Sequence, residues 1–132
     1  MMFTDAFRND AAAKVTGRAK YTDDYKLPDM LYAVPLHSQV ASAIIKSIDY
    51  SEALKQKGVV AVYTAKDIPG KIKFGQIIKD CHTIINRRIR SAGDVIALVV
   101  AETREIALSA LPLIKVELEE IPAVYNPEEA MQ

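Results

Sequence analysis

Few residues in this sequence are of the types that carry out chemistry, and its one thiol stands beside a base. Cys81 precedes His82, and the second histidine of the chain is His37. An imidazole can activate a thiol for attack on a carbonyl carbon, but adjacent side chains on an extended segment point in opposite directions. One cysteine and two histidines also leave a zinc site short of ligands. We therefore expect ordinary loop, surface or core roles for all three residues.

Carboxylates and glycines give no clearer site. Asp23 with Asp24, and Glu119 with Glu120, are neighbouring carboxylates, yet neighbours along a strand face opposite sides, so neither pair is arranged for general acid–base catalysis. The five glycines are scattered singly, so no glycine-rich loop cradles a phosphate or a dinucleotide. We predict no catalytic, cofactor-binding or metal-binding residue in this chain.

Length and composition indicate one domain. The chain has 132 residues, of which 50% are hydrophobic, enough to bury a core. Lys+Arg and Asp+Glu are equal at 17, so no overall field favours nucleic acid or an anionic membrane as a partner. A single cysteine excludes an internal disulfide and a cysteine-ligated iron–sulfur cluster, and it suits the cytoplasm. Residues 1–10 lack the apolar region of a signal peptide, and no stretch is long enough to cross a bilayer.

The elements that would position any site are organised around residues 93–102. Seven consecutive apolar residues, 95–101, predict a strand that is buried on both faces. Thr103 is a suitable N-cap for a helix that Pro112 kinks or ends near residue 111. Residues 114–120 alternate apolar and charged side chains, as a strand with one wet face does.

The first half of the chain predicts further strands. We leave residues 1–14 as an N-terminal arm without assigned structure and place the domain at 15–132. The predicted elements are strands at 18–22, 31–36, 43–49 and 59–64, and a helix at 52–57. Pro35 predicts an edge strand or a bulge, because it cannot donate to a ladder. Ser51 is a suitable N-cap for the helix, and Gly58 stops it in a left-handed conformation. Strict alternation puts Ile44 with Ile48 on one face of the third strand and Ala43 with Ile45 on the other.

Residues 71–90 predict a basic surface excursion with apolar anchors, the isoleucine pairs Ile77-Ile78 and Ile84-Ile85, followed by a short strand at 89–92. Asp80 interrupts the basic residues and Phe74 is the one aromatic, so the stretch is not typical of nucleic-acid binding. A second short helix begins at Pro127. The whole pattern predicts an α+β fold, about β-β-β-α-β-β-β-α-β, with a mixed sheet and two main helices.

An ordered series of motifs resembles the N-terminal α/β hammerhead domain of the molybdopterin-binding large subunit in the xanthine dehydrogenase and aldehyde oxidase family. The series covers nearly all of residues 15–130. Its members are Val15-Thr16-Gly17-Arg18-Ala19-Lys20-Tyr21-Thr22-Asp23-Asp24, Leu27-Pro28-Asp29-Met30-Leu31, Ser38 with Ala41 and Ala43, Ile48-Asp49, Gly58-Val59-Val60-Ala61-Val62, Asp67-Ile68-Pro69-Gly70, Gly93, Ala97-Leu98-Val99-Val100-Ala101-Glu102, Val116-Glu117 and Pro122-Ala123-Val124.

The resemblance implies a non-catalytic structural domain of a molybdenum hydroxylase. It implies that the full chain hydroxylates purines, N-heterocycles or aldehydes with oxygen from water. Molybdopterin would lie in later domains of the large subunit, and iron–sulfur clusters and FAD in partner domains or subunits of an oligomeric enzyme. This chain would then be an excised domain or a truncated frame. Two alternatives stay open: a stand-alone interaction module that uses the basic residues 71–90 on an acidic partner, and a small Cys81-dependent enzyme.

Overall fold

The computed structural model describes residues 8–131, which divide after Met30 into two units. In the first unit, alanines favour the short helix α1 (Ala11–Val15). The helix ends where the backbone N–H groups of Arg18 and Ala19 both donate to the Ala13 carbonyl oxygen at 2.8 Å. A single 3-10 turn, Thr22–Asp24, follows. The arm at residues 1–14, to which the sequence assigned no structure, thus includes most of a helix, and its residues 1–7 lie outside the described residues.

The predicted strand at 18–22 is wrong. Its backbone donors are used locally: those of Arg18 and Ala19 by the end of α1, and that of Tyr21 by the Asp24 carboxylate at 2.8 Å. A strand needs those donors for a neighbouring chain. Alternation of polar and apolar residues over five positions therefore did not produce a strand, because hydrogen bonds within local turns are formed instead.

The second unit holds three sheets. In chain order its elements are β1 (Tyr32–His37), β2 (Ala43–Asp49), α2 (Ser51–Lys55), β3 (Val59–Tyr63), β4 (Lys73–Phe74), β5 (Cys81–His82), β6 (Arg88–Ile89), β7 (Val95–Ala101), α3 (Arg104–Ala110), β8 (Lys115–Glu120) and α4 (Pro127–Ala130). The strand orders are β1-β7-β3, β6-β2-β8 and β4-β5.

The α+β class is confirmed, and the expected mixed sheet is corrected. Every pairing in the described residues is antiparallel. The unit β7-α3-β8, which could have made a parallel crossover, instead sends its two strands into different sheets. Each three-stranded sheet buries one face against the other elements, which gives two neighbouring hydrophobic clusters rather than one.

Strand β7 is central, as predicted, but its predicted burial on both faces is incomplete, since Val95, Leu98 and Val100 are only half-buried. It pairs with β1 from Tyr32 opposite Ala101 to His37 opposite Val95, and with β3 on its other side. Val99 and its neighbours at alternate positions pack with α2 and α3 in the first cluster, while Ile96 belongs to the second. Pro35 lies in β1 at the edge of this sheet, also as predicted.

A β-bulge decides which way β2 faces. The register with β8 shifts between Ile45 and Ser47, so strict alternation fails at Lys46. Ile45 and Ile48 therefore both pack into the core, although alternation assigned them to opposite faces. The insertion of one residue reverses the facing of every residue after it.

The connections around the helices follow the sequence closely. Thr103 caps α3, and its side-chain oxygen accepts from the Ile106 N–H at 3.2 Å. Helix α2 is shorter than predicted and begins with Ser51 inside it; the Asp49 carboxylate accepts from the Ser51 N–H at 3.0 Å. Gly58 has φ +87°, which confirms the left-handed conformation expected after this helix.

Replacing Gly58 with alanine is expected to destabilise the protein by about 2 kcal/mol, from left-handed strain and an overlap with the core. A Cβ there would lie 2.7 Å from Ile106 Cδ1. Gly93→Ala is the matched control, because Gly93 has φ +94° but open space around it. Chemical denaturation measures the loss of unfolding free energy caused by Gly58→Ala. That loss should be smaller in a protein that also carries Ile106→Val, because the valine lacks Cδ1. Equal costs of Gly58→Ala with and without Ile106→Val would contradict the overlap.

Candidate functional site

Cys81 and His82 lie side by side in strand β5 of the β4-β5 hairpin. Cys81 is exposed in β5, opposite Phe74, and its Sγ donates to the Asp80 carboxylate at 3.8 Å. His82 stands opposite Lys73 in the same hairpin. Among the described residues, the thiol bonds to this carboxylate and not to the imidazole of His82. A Cys81-dependent enzyme gains no support from this arrangement.

His37 closes the irregular end of β1. Its Nδ1 lies 2.6 Å from the Gly93 carbonyl oxygen, and the Nδ1-protonated tautomer donates there. The Ser38 backbone reinforces this corner: its N–H donates to the Asp94 carbonyl oxygen at 2.8 Å, and its carbonyl oxygen accepts from the Gly93 N–H at 2.9 Å. Among residues 8–131, no three His, Cys, Asp or Glu side chains come close enough to hold a metal ion.

One member of each carboxylate pair has a structural partner. Asp24 caps the turn of the first unit by accepting from the Tyr21 N–H. Glu119 forms an ion pair with Lys46 across β2 and β8, while Glu120 follows it on the same strand. Both Lys46 and Glu119 are largely exposed, so this pair contributes little to stability.

Several exposed carboxylates are tuned by turn and cap geometry. The Thr64 backbone N–H at 2.7 Å and its hydroxyl at 2.9 Å hold the pKa of the Asp67 carboxyl below its ordinary value. The Ser51 backbone lowers the pKa of Asp49 in the same way. Each carboxylate receives donors that favour its charged form. Because these hydrogen bonds join residues two or three positions apart, the lowered pKa values reflect the stability of local turns.

Asp67→Asn is expected to lower the melting temperature at neutral pH. Because the folded pKa of Asp67 is depressed, its contribution is present above the unfolded value and is lost as the pH falls through the lower, folded value. The difference in melting temperature between wild type and Asp67→Asn should therefore shrink below about pH 4. Calorimetry from pH 7 to about pH 2 checks this, and a difference that stays constant across the range would contradict it.

The concavities of the second unit include the following two. One, of about 350 Å³, is lined by β2, the start of α2 and the segment around Thr64. The other, of about 430 Å³, lies at the base of the β4-β5 hairpin between Lys71, Lys79 and His82. Every buried side-chain N or O atom in residues 8–131 has a hydrogen-bond partner. The described residues thus aim no unpartnered polar group into either concavity.

Comparison with known proteins decides the family. The model of the aldehyde oxidase and xanthine dehydrogenase a/b hammerhead domain matches residues 16–122. The chain belongs to this family. The hammerhead domain is 45% identical over 125 residues to a probable xanthine dehydrogenase subunit of Bacillus subtilis (strain 168). The aligned residues make up 95% of this chain and 17% of that protein.

Other relatives agree. The hammerhead domain is 42% identical to the nicotinate dehydrogenase large molybdopterin subunit of Eubacterium barkeri, over 93% of this chain and 29% of that protein. Its structure matches the aldehyde oxidoreductase from Desulfovibrio desulfuricans ATCC 27774 with a TM-score of 0.88 and 33% identity, covering 94% of this chain and 15% of the other. The chain therefore spans much less than half the length of these relatives.

Within residues 8–131, the hammerhead domain brings together no group of three His, Cys, Asp or Glu side chains that could hold a metal ion. Its one thiol is exposed and bonded to Asp80, and His37 is engaged with a backbone carbonyl. The stand-alone interaction module is not supported, because these relatives carry the same region inside much longer chains. No helix in the described residues is long and apolar enough to span a membrane.

Sequence reasoning missed one surface feature of the hammerhead domain. Hydrophobicity alone groups Ile77 and Ile78 with Ile84 and Ile85 as apolar anchors of the basic excursion. Ile84 and Ile85 are buried, as expected of anchors, whereas Ile77 and Ile78 are exposed. Both pairs are the dipeptide Ile-Ile, so composition could not distinguish them. Gly75, which lies between β4 and β5, was the residue that could have indicated a turn before Ile77 and Ile78.

Proposed function

We propose that this chain is a non-catalytic structural and assembly domain of the large subunit of a molybdenum hydroxylase of the xanthine dehydrogenase and aldehyde oxidoreductase type. One observation carries the proposal: relatives match nearly all of this chain while the chain covers 17% and 29% of two of them. A region shared by relatives named for xanthine, nicotinate and aldehyde chemistry suits a scaffold better than a substrate pocket.

The full enzyme, in this proposal, hydroxylates a carbon of a purine, an N-heterocycle or an aldehyde. The inserted oxygen comes from water, and each turnover releases two protons and two electrons. Molybdopterin supplies this chemistry in other domains of the large subunit. Iron–sulfur clusters, and FAD where present, receive the electrons in partner domains or subunits. None of these steps is assigned to a side chain of residues 1–132.

The contribution of this chain is then mechanical. Residues 15–132 form the hammerhead domain and residues 1–14 an arm that precedes it. The two three-stranded antiparallel sheets, with their neighbouring hydrophobic clusters, give a support on which the remaining domains and the iron–sulfur partner assemble. The balanced charge argues against nucleic acid or membrane as a partner, and a single exposed cysteine suits the reducing cytoplasm.

The coding sequence downstream of codon 132 tests the proposal. We expect an open frame that continues for several hundred codons and contains a glycine-rich cofactor loop. The isolated 132-residue chain should neither bind molybdenum nor reduce an electron-accepting dye with xanthine, nicotinate or an aldehyde. Turnover by the isolated chain, or a native product that ends at residue 132, would contradict the proposal.

A further inference from the structure

The loop between β4 and β5 carries apolar side chains outward. Ile77 is 95% exposed and Ile78 is 70% exposed, and Phe74 at the end of β4 is also exposed. Single apolar residues on a surface are ordinary, but three within five positions of one loop form a patch typical of an interaction site. Residues 74–80 are the apolar hairpin loop.

The apolar hairpin loop has a defined shape. Gly75 adopts φ +153°, and a Cβ at that position would lie 1.9 Å from the Ile78 carbonyl oxygen. The backbones of Gly75 and Ile78 therefore lie against each other at a distance that only glycine allows. The base of the loop is closed by the pairing of Lys73 with His82 and by the Thr83 N–H, which donates to the Ile72 carbonyl oxygen at 3.1 Å.

A second isoleucine pair in the same excursion shows the contrast. Ile84 and Ile85 are 6% and 4% exposed, and the Ile85 N–H donates to the Val95 carbonyl oxygen at 2.7 Å. The chain thus anchors one Ile-Ile pair in the core and holds the other away from it. The outward pair contributes little to the stability of this domain, so its apolar surface is available to a partner.

Charge around the loop selects the kind of partner. Lys73 and Lys79 flank the isoleucines without an ion pair in the described residues, and the guanidinium of Arg90 donates to the Asp80 carbonyl oxygen at 3.5 Å. The loop also carries the Asp80 carboxylate, but with Lys73, Lys79 and Arg90 around it the net charge is positive, so two copies meeting here would bring like net charges together. The matching surface is an apolar pocket with carboxylates at its rim.

We propose that Ile77 and Ile78 dock into such a pocket on the remainder of the large subunit. The inference rests on the proposed function, in which this domain is embedded in a longer chain. Solved relatives support that occupant, since this chain covers 14% of the aldehyde oxidoreductase from Desulfovibrio gigas and 17% of quinoline 2-oxidoreductase from Pseudomonas putida 86. Most of each of those chains is therefore available to cover the loop.

Trypsin cleavage at Lys73 and Lys79 tests the docking. Cleavage rates are measured by mass spectrometry in the 132-residue chain, in the full large subunit, and in the full subunit carrying I77E and I78E. We expect at least tenfold slower cleavage in the full subunit and recovery of most of the free-chain rate in the double variant. V60E, on the exposed part of β3, is the matched control and should leave the protection intact. I77S with I78S is a milder variant should the charges impair folding.

Three results would overturn the docking. The first is an equal rate of trypsin cleavage at Lys79 in the free chain and in an active, molybdenum-containing full subunit. That result would rule out the docking but not the proposed function. The second is binding of the free chain to phosphatidylserine vesicles that I77E and I78E abolish, since the occupant would then be a membrane. The third is a dimer of the free chain, detected by sedimentation, that the same variant dissociates.

Discussion

Val99→Asp is expected to unfold the isolated domain. Val99 lies in the middle of β7 with none of its surface exposed, between Val34 of β1 and Val62 of β3. Its side chain belongs to the first cluster, where it packs among the alanines of α2 and α3. A carboxylate at this position would be desolvated without a partner, and its neutral form would still leave polar atoms unpaired.

The expected cost of Val99→Asp is about 4 kcal/mol or more, which is most of the stability of an ordinary domain. Urea denaturation and far-ultraviolet circular dichroism of the 132-residue chain would detect it. Val60→Asp is the matched control: the substitution is the same, but Val60 is exposed on β3 at the register shift, so its cost is about 1 kcal/mol. Equal effects of the two substitutions would show that β7 is not the centre of the core.

Ile89→Ala is expected to cost about 3 kcal/mol through lost burial and the cavity left behind. Ile89 has no exposed surface, and it lies in β6 opposite Ala43 of β2. It packs with Ile85 and Ile96 in the second cluster, so it joins the end of the basic excursion to the sheet. The substitution tests whether this two-residue strand is a real part of the core.

Ile77→Ala provides the control for Ile89→Ala, because the same atoms are removed from a side chain that is almost fully exposed. Its effect on the free energy of unfolding should stay within about 0.5 kcal/mol. Denaturation of both variants of the 132-residue chain gives the comparison. A loss at Ile77 as large as that at Ile89 would mean that the apolar hairpin loop is packed in solution, which would also remove the basis for its docking.

The elements that the sequence predicted well are those fixed by local chemistry. The continuous apolar run of β7, the cap at Thr103 and the glycine at position 58 each depend on a few neighbouring residues, and each was found where expected. Such signals survive because burial and capping leave few alternatives. The family resemblance extended them to the whole domain, and the hammerhead match confirmed it.

The features that could not be predicted depend on pairing between distant strands. The bulge in β2 is set by its register with β8, about seventy residues later, and it alone decides that Ile45 and Ile48 share the core. The placement of β7 and β8 in different sheets could not be predicted from hydrophobic periodicity either, because that pattern describes each strand separately and not its partners. At residues 18–22, local turn bonds replaced a weak alternation.

The site predictions had a different outcome. The expectation of no catalytic, cofactor-binding or metal-binding residue remains a prediction, since this chain covers only 17% of the length of a relative such as the Bacillus subtilis protein. The Cys81 thiol bonds to Asp80 rather than to His82, its neighbour in β5. Exposure of Ile77 and Ile78 depends on the turn at Gly75 and could not be read from hydrophobicity.

The mass and molybdenum content of the native polypeptide test the central claim most directly. An antibody raised against residues 31–131 would isolate the native protein, and mass spectrometry with elemental analysis would characterise it. The account predicts a polypeptide several times heavier than 14.6 kDa that contains this sequence and carries about one molybdenum atom per chain. A native polypeptide of 14.6 kDa without molybdenum, and without a molybdenum-containing partner bound to it, would contradict the account.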